Sequence, residues 1–204
     1  MAVISNFGIP TDGSANNGTT LMPKLQYRFR VSFIGLGLAT TGEQGIVTQN
    51  VISVGRPNLT HDEVVVDSYN SKMYMAGKHT WEAISLVLRD DMTSAVVKAM
   101  GSQLNKQVDH ADQASGISGS SYKFSMKIET LDGNNGSTAP EVFDTWELSG
   151  CYLAGMQYGD LNYATSDMVQ LTANIRYDHA AHTVGQQDVL SAGSRGGTGE
   201  VIAP

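Results

Sequence analysis

Every second residue in the range 25–33 is apolar, and polar side chains stand between the apolar ones. Successive side chains of a β-strand point to opposite sides, so this period of two is typical of a strand that buries one face. The same alternation runs over 122–129 and over 169–177. Less regular strand candidates follow at 46–55, 63–75, 80–89 and 141–153. The pattern predicts a mainly β protein, a β-sandwich or barrel of antiparallel sheets.

One segment has helical rather than strand periodicity. Its apolar residues Val96, Val97, Met100 and Leu104 recur at steps of three and four, after an acidic start at 90–91. Acidic residues at the beginning of a helix and basic ones near its end complement the helix dipole, and basic residues do occupy the later part. We expect one amphipathic helix over roughly 92–107, flanking an open end or face of the sheets.

Both ends of the chain differ in composition from its middle. Residues 1–23 and 183–204 are rich in Gly, Ser, Asn and Thr and have no apolar periodicity. Such segments cannot bury enough apolar surface to fold by themselves. We expect a flexible N-terminal arm, a single β domain over 24–182 and a Gly-rich C-terminal tail.

The composition of the chain argues against several classes of function. The chain has 204 residues with 13 Lys and Arg against 20 Asp and Glu, a net charge of −7. This sign disfavours binding to a phosphate backbone, which requires cationic side chains. Cys151 is the only cysteine, which excludes an intrachain disulfide and a thiolate zinc cluster. The sequence has neither a signal-peptide pattern nor 18 consecutive apolar residues, so we expect neither export nor a membrane anchor.

Several polar clusters could carry chemistry, but none has the full pattern that its chemistry requires. The glycines at 35–42 do not match a dinucleotide-binding loop, and a glycine-rich hairpin loop fits them better. The Asp-His-Ala-Asp run at 109–112 is typical of a solvated helix end rather than a metal site. His179 and His182 lack the Glu of a metalloprotease helix.

The remaining catalytic candidates are also incomplete. Period-two spacing puts Asp144 on the strand face of Trp146 and puts Glu141 and Glu147 on the other, so these acids do not converge. There is no G-x-S-x-G nucleophile motif, and Cys151 lies in an apolar strand without a neighbouring base. We expect no catalytic residue, no cofactor and no metal, and therefore no enzyme.

The sequence predicts a β protein without a catalytic motif and with few lysines, which would otherwise keep strand edges from pairing with other chains. These features favour assembly as the function. Free edges pair with other chains, and homo-oligomers use them to continue a sheet between subunits.

Six stretches in order also resemble the tail tube protein of contractile-tailed bacteriophages. They are VGRPNL at 54–59, MAGKHTWE at 75–82, VLRDD at 87–91, WELSGCYL at 146–153, GDLNY at 159–163 and VQLTANIRY at 169–177.

This resemblance covers about 24–180 and implies a structural role. Members of the family form homo-hexameric rings that stack into a tube inside a contractile sheath, between a baseplate and a tail terminator. DNA and the tape-measure protein pass through the channel without specific binding during ejection. The chain would then belong to the virion tail, assembled in the host cytoplasm. An acidic channel fits this role because it repels phosphates.

Residue roles follow as expectations. In the segment 62–71, Val64 and Val66 would pack in the core, and Glu63, Asp67 and Tyr69 would face the channel, although these acids could equally keep an outer surface soluble. The segment 36–50 is long and glycine-rich enough to reach a neighbouring ring, or else it is a solvent loop. The ring-to-ring contact candidates in it are Leu36, Thr40, Glu43 and Ile46.

Two alternatives stay open at this point. A tube protein of a type VI secretion system or of a tail-like bacteriocin would have nearly the same fold, and flanking genes or a packaged genome would separate it from a phage tube. A β-sandwich binding module of a virion belongs to a different class. It would need exposed aromatic residues on one face, whereas Trp81 and Trp146 lie in apolar strand patterns.

Overall fold

The computed structural model describes residues 23–37, 41–116, 118–133, 140–185 and 187–190. The predicted terminal arm up to residue 22, the tail from 191 onward and the loop at 134–139 lie outside these ranges. The elements in chain order are β1 (Phe29–Ile34), α1 (Thr41–Gln49), β2 (Val51–Val54), β3 (Leu59–Ser68), β4 (Ser71–Trp81), β5 (Ile84–Arg89), α2 (Ala95–Gln107), β6 (Val108–Asp109), β7 (Ala114–Ser115), β8 (Phe124–Leu131), β9 (Val142–Gln157), β10 (Gln170–Arg176), β11 (His179–Val184) and β12 (Gln187–Leu190).

Strand β9 organises the main sheet, because it pairs with different neighbours along its length. Its first part pairs antiparallel with β8 on one side and with β11 on the other. Its last part pairs with β10, and the sheet continues through β5 to β2. Strand β1 pairs with β8 at one end, so the order is β1-β8-β9-β10-β5-β2, with β11 beside β9 and β12 beside β11. The predicted antiparallel, mainly β fold is confirmed.

At Gly150, strand β9 adopts a backbone conformation that favours glycine. Gly150 has a φ of +68°, the left-handed region that glycine enters at little cost, and it lies where the pairing passes from β8 and β11 to β10. A Cβ at this position would overlap the carboxylate of Asp178. Any other residue at 150 therefore meets backbone strain and a steric clash together.

The core consists of the inward residues of the alternating strands. Their side chains are at most 4% exposed in β1 (Val31, Phe33), β5 (Ile84, Leu86, Leu88), β8 (Phe124, Met126, Ile128) and β10 (Leu171, Ala173, Ile175). The alternation over 122–129 and 169–177 thus corresponds to strands with one face in the core, whereas over 25–33 only the part from Phe29 is a strand, and Tyr27 before it is exposed. The strands also continue to Leu190, beyond the predicted domain end at 182.

Helix α2 confirms the predicted amphipathic helix and begins a few residues later than expected. Val96, Ala99 and Met100 are buried on its inner face. The Asp91 carboxylate accepts a hydrogen bond from the backbone N–H of Ala95 at 2.9 Å, which satisfies a donor at the start of the helix. Hydrogen bonds from Thr93 and then from Ala95 hold the pKa of Asp91 below its ordinary value.

The segment 36–50 differs from both predictions made for it. The sequence predicts a loop here, with a strand from residue 46. The structure instead has helix α1, which the sequence pattern does not predict, and the strand that follows it is only four residues long. Helix α1 packs against α2 and β1, and Val47 is completely buried. Tertiary packing therefore overrides the weak local pattern. None of the helices in the described ranges is long and apolar enough to cross a membrane.

Candidate assembly surface

Strands β3 and β4 form a hairpin that stands apart from the main sheet. They pair with each other from Leu59 and Trp81 to Ser68 and Ser71, and with no other strand among the described residues. Almost every side chain of the hairpin is exposed to solvent. A two-stranded ribbon alone in water is marginally stable. Its length therefore points to a contact that the isolated chain does not make.

One face of this hairpin is apolar. Val64 lies opposite Met75, and Val66 lies opposite Met73, and these four residues make up what we call the apolar face. Their side chains are 38–53% exposed. The expectation that Val64 and Val66 share a face away from Glu63 and Asp67 agrees with the register. The expectation that these valines pack in the core of their own chain is wrong.

The opposite face is mixed and carries the channel candidates. Glu63, Val65 and Asp67 alternate along it, and Asp67 pairs with Lys72 across the hairpin at 3.7 Å. Tyr69 lies in the turn with a φ of 46° and a fully exposed side chain. Glu63 and Asp67 therefore share one face of β3, with Val65 between them, while Tyr69 projects from the tip. Their place in a channel stays a prediction.

The root of the hairpin is fixed to the main sheet by aromatic packing. The Trp81 ring lies 5.7 Å from that of Tyr177 and 6.3 Å from that of His179. Beyond this anchor, a register shift between His61 and Glu63 puts an extra residue into β4 beside Gly77. A Cβ on Gly77 would lie 3.0 Å from the carbonyl oxygen of Asp62, so the close approach of the two strands favours glycine there.

Strands β1 and β2 leave two further edges open. In the described part of the chain, β1 pairs only with β8, and β2 pairs only with β5. The loop between β9 and β10 adds a second exposed apolar region, since Tyr158, Leu161, Tyr163 and Met168 are all more than 45% exposed. Unpaired strand edges and exposed apolar side chains are the features by which chains associate.

The ring-contact candidates are placed unevenly. Leu36 is 2% exposed and packs in the core, so its side chain offers no contact to a neighbour in this conformation. Ile46 is half-buried against the core, and Glu43 lies within α1. Thr40 lies outside the described residues. The structure therefore changes the character of this segment from an extended loop to a docked helix.

The polar clusters noted in the sequence do not converge on a reactive centre. Within the described ranges, no three His, Cys, Asp or Glu residues lie close enough together to hold a metal ion. The Asp109 carboxylate accepts the N–H of Ala111 at 2.9 Å, as in a local turn. Burial raises the pKa of the Cys151 thiol to about 12, which keeps it protonated and unreactive near neutral pH.

One buried polar cluster could not be found from the sequence. Asp144 is 6% exposed and is hydrogen-bonded to Nε2 of His182, and the His182 ring stacks on Trp146 at 4.0 Å. Lys24 contacts the same carboxylate at 3.6 Å. The cluster joins β9, β11 and the segment before β1. Glu147 is exposed and pairs with Lys127 at 2.9 Å, so Asp144 and Glu147 do not converge, as the sequence predicts.

Comparisons with known proteins place the fold. No family model and no curated protein matches the sequence. The tube-terminating cap of the anti-feeding prophage superposes with a TM-score of 0.61 at 16% identity, over 85% of this chain and 99% of that one. A chain of the anti-feeding prophage baseplate gives 0.58 at 15% identity, over 82% and 100%. A chain from the sheath-tube complex of the PVC extracellular contractile injection system gives 0.58 at 16%, over 79% and 92%. The chain shares the fold of these components.

Proposed function

We propose that this chain is a structural, non-enzymatic subunit of the tube of a contractile injection particle. The observation that carries the proposal is the isolated β3–β4 hairpin with its exposed apolar face, on a fold shared with components of such particles. A monomer with this hairpin exposes apolar surface that water disfavours. Copies that cover one another's hairpins remove that surface.

Burial of the apolar face contributes part of the free energy that assembly requires, since association itself costs about 4–15 kcal/mol in lost translational and rotational freedom. Burying a Val or Met side chain completely stabilises by about 1.5–3 kcal/mol, and about half of that remains for the half-exposed residues of the apolar face. Four such residues contribute about 4 kcal/mol at each hairpin. In a closed ring every subunit gives and receives one contact, so the contribution is repeated around the ring.

The finer form of the proposal follows the resemblance to phage tail tubes. Six copies would form each ring, and rings would stack inside a sheath between a baseplate and a terminator. Glu63 and Asp67 would line the channel and repel the DNA and tape-measure protein that pass through it. The particle would be a virion tail assembled in the host cytoplasm. Exposed parts of α1 and the β9–β10 loop would contribute contacts between rings.

The test is the assembly state of the purified chain. We expect sizing chromatography to show large species at high protein concentration, and negative-stain electron microscopy to show rings or tubes with a central channel. A chain that stays monomeric at every concentration and salt condition, with no rings in the micrographs, contradicts the proposal. DNA packaged in the native particle distinguishes a phage tail from a secretion or bacteriocin tube.

A further inference from the structure

A groove of about 770 Å³ lies between the edge strands β1 and β2. Side chains from both strands line it, together with the segment before β1 and part of β8. Its apolar lining includes Phe29, Ile52, Val54 and Ile128. This edge groove therefore combines a hydrophobic lining with two strands that, among the described residues, each pair with another strand on one side only.

The edge groove is cationic in a protein that is acidic overall. Lys24 and Arg56 line it, and none of the described residues that line it is Asp or Glu, although the chain has a net charge of −7. Lys24 is already 3.6 Å from Asp144. The exposed Arg56 is the stronger candidate for a partner outside the chain. An occupant of this groove should combine apolar side chains with a negative charge.

Strand β3 has this combination on its apolar side. Asp62 precedes Val64 and Val66 at alternate positions, so all three point to the same face of the strand. No described strand pairs with the β3 edge opposite β4, so its backbone can add to another sheet. In one molecule the apolar face is exposed while the groove stands open. The hairpin of a chain therefore does not fill the groove of that same chain.

We propose that the edge groove receives the β3–β4 hairpin of a second copy of this chain. Val64 and Val66 enter the apolar part of the groove, and Asp62 pairs with Arg56 of the receiving subunit. The inference rests on the proposed function and deepens it, because it names the surface that covers the apolar face. The contact joins two different surfaces, so repetition generates a ring or a helix rather than a closed pair. The opposite face, with Glu63 and Asp67, stays free.

The test is a charge exchange between two subunits. Arg56→Glu gives a chain whose groove and hairpin are both acidic, and Asp62→Arg gives a chain in which both are basic. Each variant alone should need about tenfold more protein for half-maximal assembly, measured by sedimentation. Mixing the two variants in equal amounts should restore assembly close to the wild-type concentration, because each hairpin then meets a groove of opposite charge. An ion pair within one chain cannot be rescued by mixing.

The control and the contrary outcomes separate the two proposals. Lys98→Glu, on the exposed side of α2, makes the same kind of charge reversal away from the groove and should assemble like the wild type. Wild-type assembly with no effect of Arg56→Glu, or no rescue in the mixture, overturns the groove assignment and leaves the tube proposal standing. A wild-type chain that never assembles contradicts both.

Discussion

At the scale of single residues, side-chain amides connect helix α2 to the sheets. Gln103 is completely buried, accepts the N–H of Gly37 at 3.1 Å and donates to the carbonyl of Tyr122 at 2.5 Å. Gln107 donates to the carbonyl of Leu153 and accepts its N–H, both at 3.0 Å. Buried backbone groups left without partners are costly. These two glutamines therefore satisfy backbone atoms that the sheet pairing leaves free.

Gly150 supports a prediction at the same scale. We expect Gly150→Ala to lower the free energy of unfolding by about 2 kcal/mol. The alanine would have to adopt a φ of +68°, and its Cβ would overlap the Asp178 carboxylate. Asp178 also pairs with Lys123, so moving it away disturbs an ion pair. Urea denaturation followed by circular dichroism measures the difference.

Gly155 is the matched control for this substitution. It lies in the same strand, and a Cβ there would have only the side-chain amide of Asn174 nearby, at 3.8 Å. Gly155→Ala should therefore change the free energy of unfolding by less than about 0.5 kcal/mol. Equal effects of the two substitutions would show that the turn at Gly150 does not need glycine.

At the scale of secondary-structure elements, the hairpin has two faces for which we propose different roles. Val64 lies on the apolar face and Val65 on the mixed face, and the two side chains are 43% and 45% exposed. Val64→Asp should raise the concentration required for assembly by at least about tenfold, because a charge would be buried at the contact. Val65→Asp introduces the same charge one residue away and should leave assembly unchanged. Sedimentation compares the variants, and equal effects would argue against face-specific docking.

Elements with strict alternation could be predicted from the sequence, and those that depend on packing could not. The period of two over 25–33 identified β1, because burial of one face is encoded in that segment alone. Helix α1 has few apolar residues and acquires its partners from α2 and β1, which are distant in sequence. The pairing of Asp144 with His182 also depends on β9 and β11 lying side by side.

The hairpin shows a different limit of sequence reasoning. Alternation correctly separated Val64 and Val66 from Glu63 and Asp67, because this separation depends only on strand geometry. It could not tell whether the apolar face meets the core of its own chain or the surface of another one. Both environments exclude water equally, so they favour the same residues.

At the scale of the whole molecule, the proposed position of Glu63 and Asp67 in the channel predicts whether assembled tubes retain DNA. Replacing Glu63 and Asp67 by Lys should let tubes hold short duplex DNA at low salt, since each ring then presents repeated cations to phosphates. DNA held inside should resist nuclease. Wild-type tubes should hold none.

Two exposed acids elsewhere provide the control. Asp109 and Asp112 lie beyond the end of α2, and replacing both by Lys changes the net charge equally. These tubes should bind DNA only on the outside, where nuclease degrades it. Tubes with Lys at 63 and 67 that hold no nuclease-resistant DNA would contradict the channel position, and equal protection by both double variants would show that protection does not depend on which acids are replaced.

The sharing of β9 between its neighbours has a mechanical consequence. Its 16 residues, at about 3.3 Å each, span about 50 Å of continuous backbone. A force on the β8 and β11 side reaches the β10 and β5 side through covalent bonds, without crossing a layer of side chains. Shearing these two parts of the subunit apart would require breaking strand hydrogen bonds together rather than sliding apolar surfaces. We expect a subunit built around such a strand to deform little when force acts along the strand, as the proposed tube role would require.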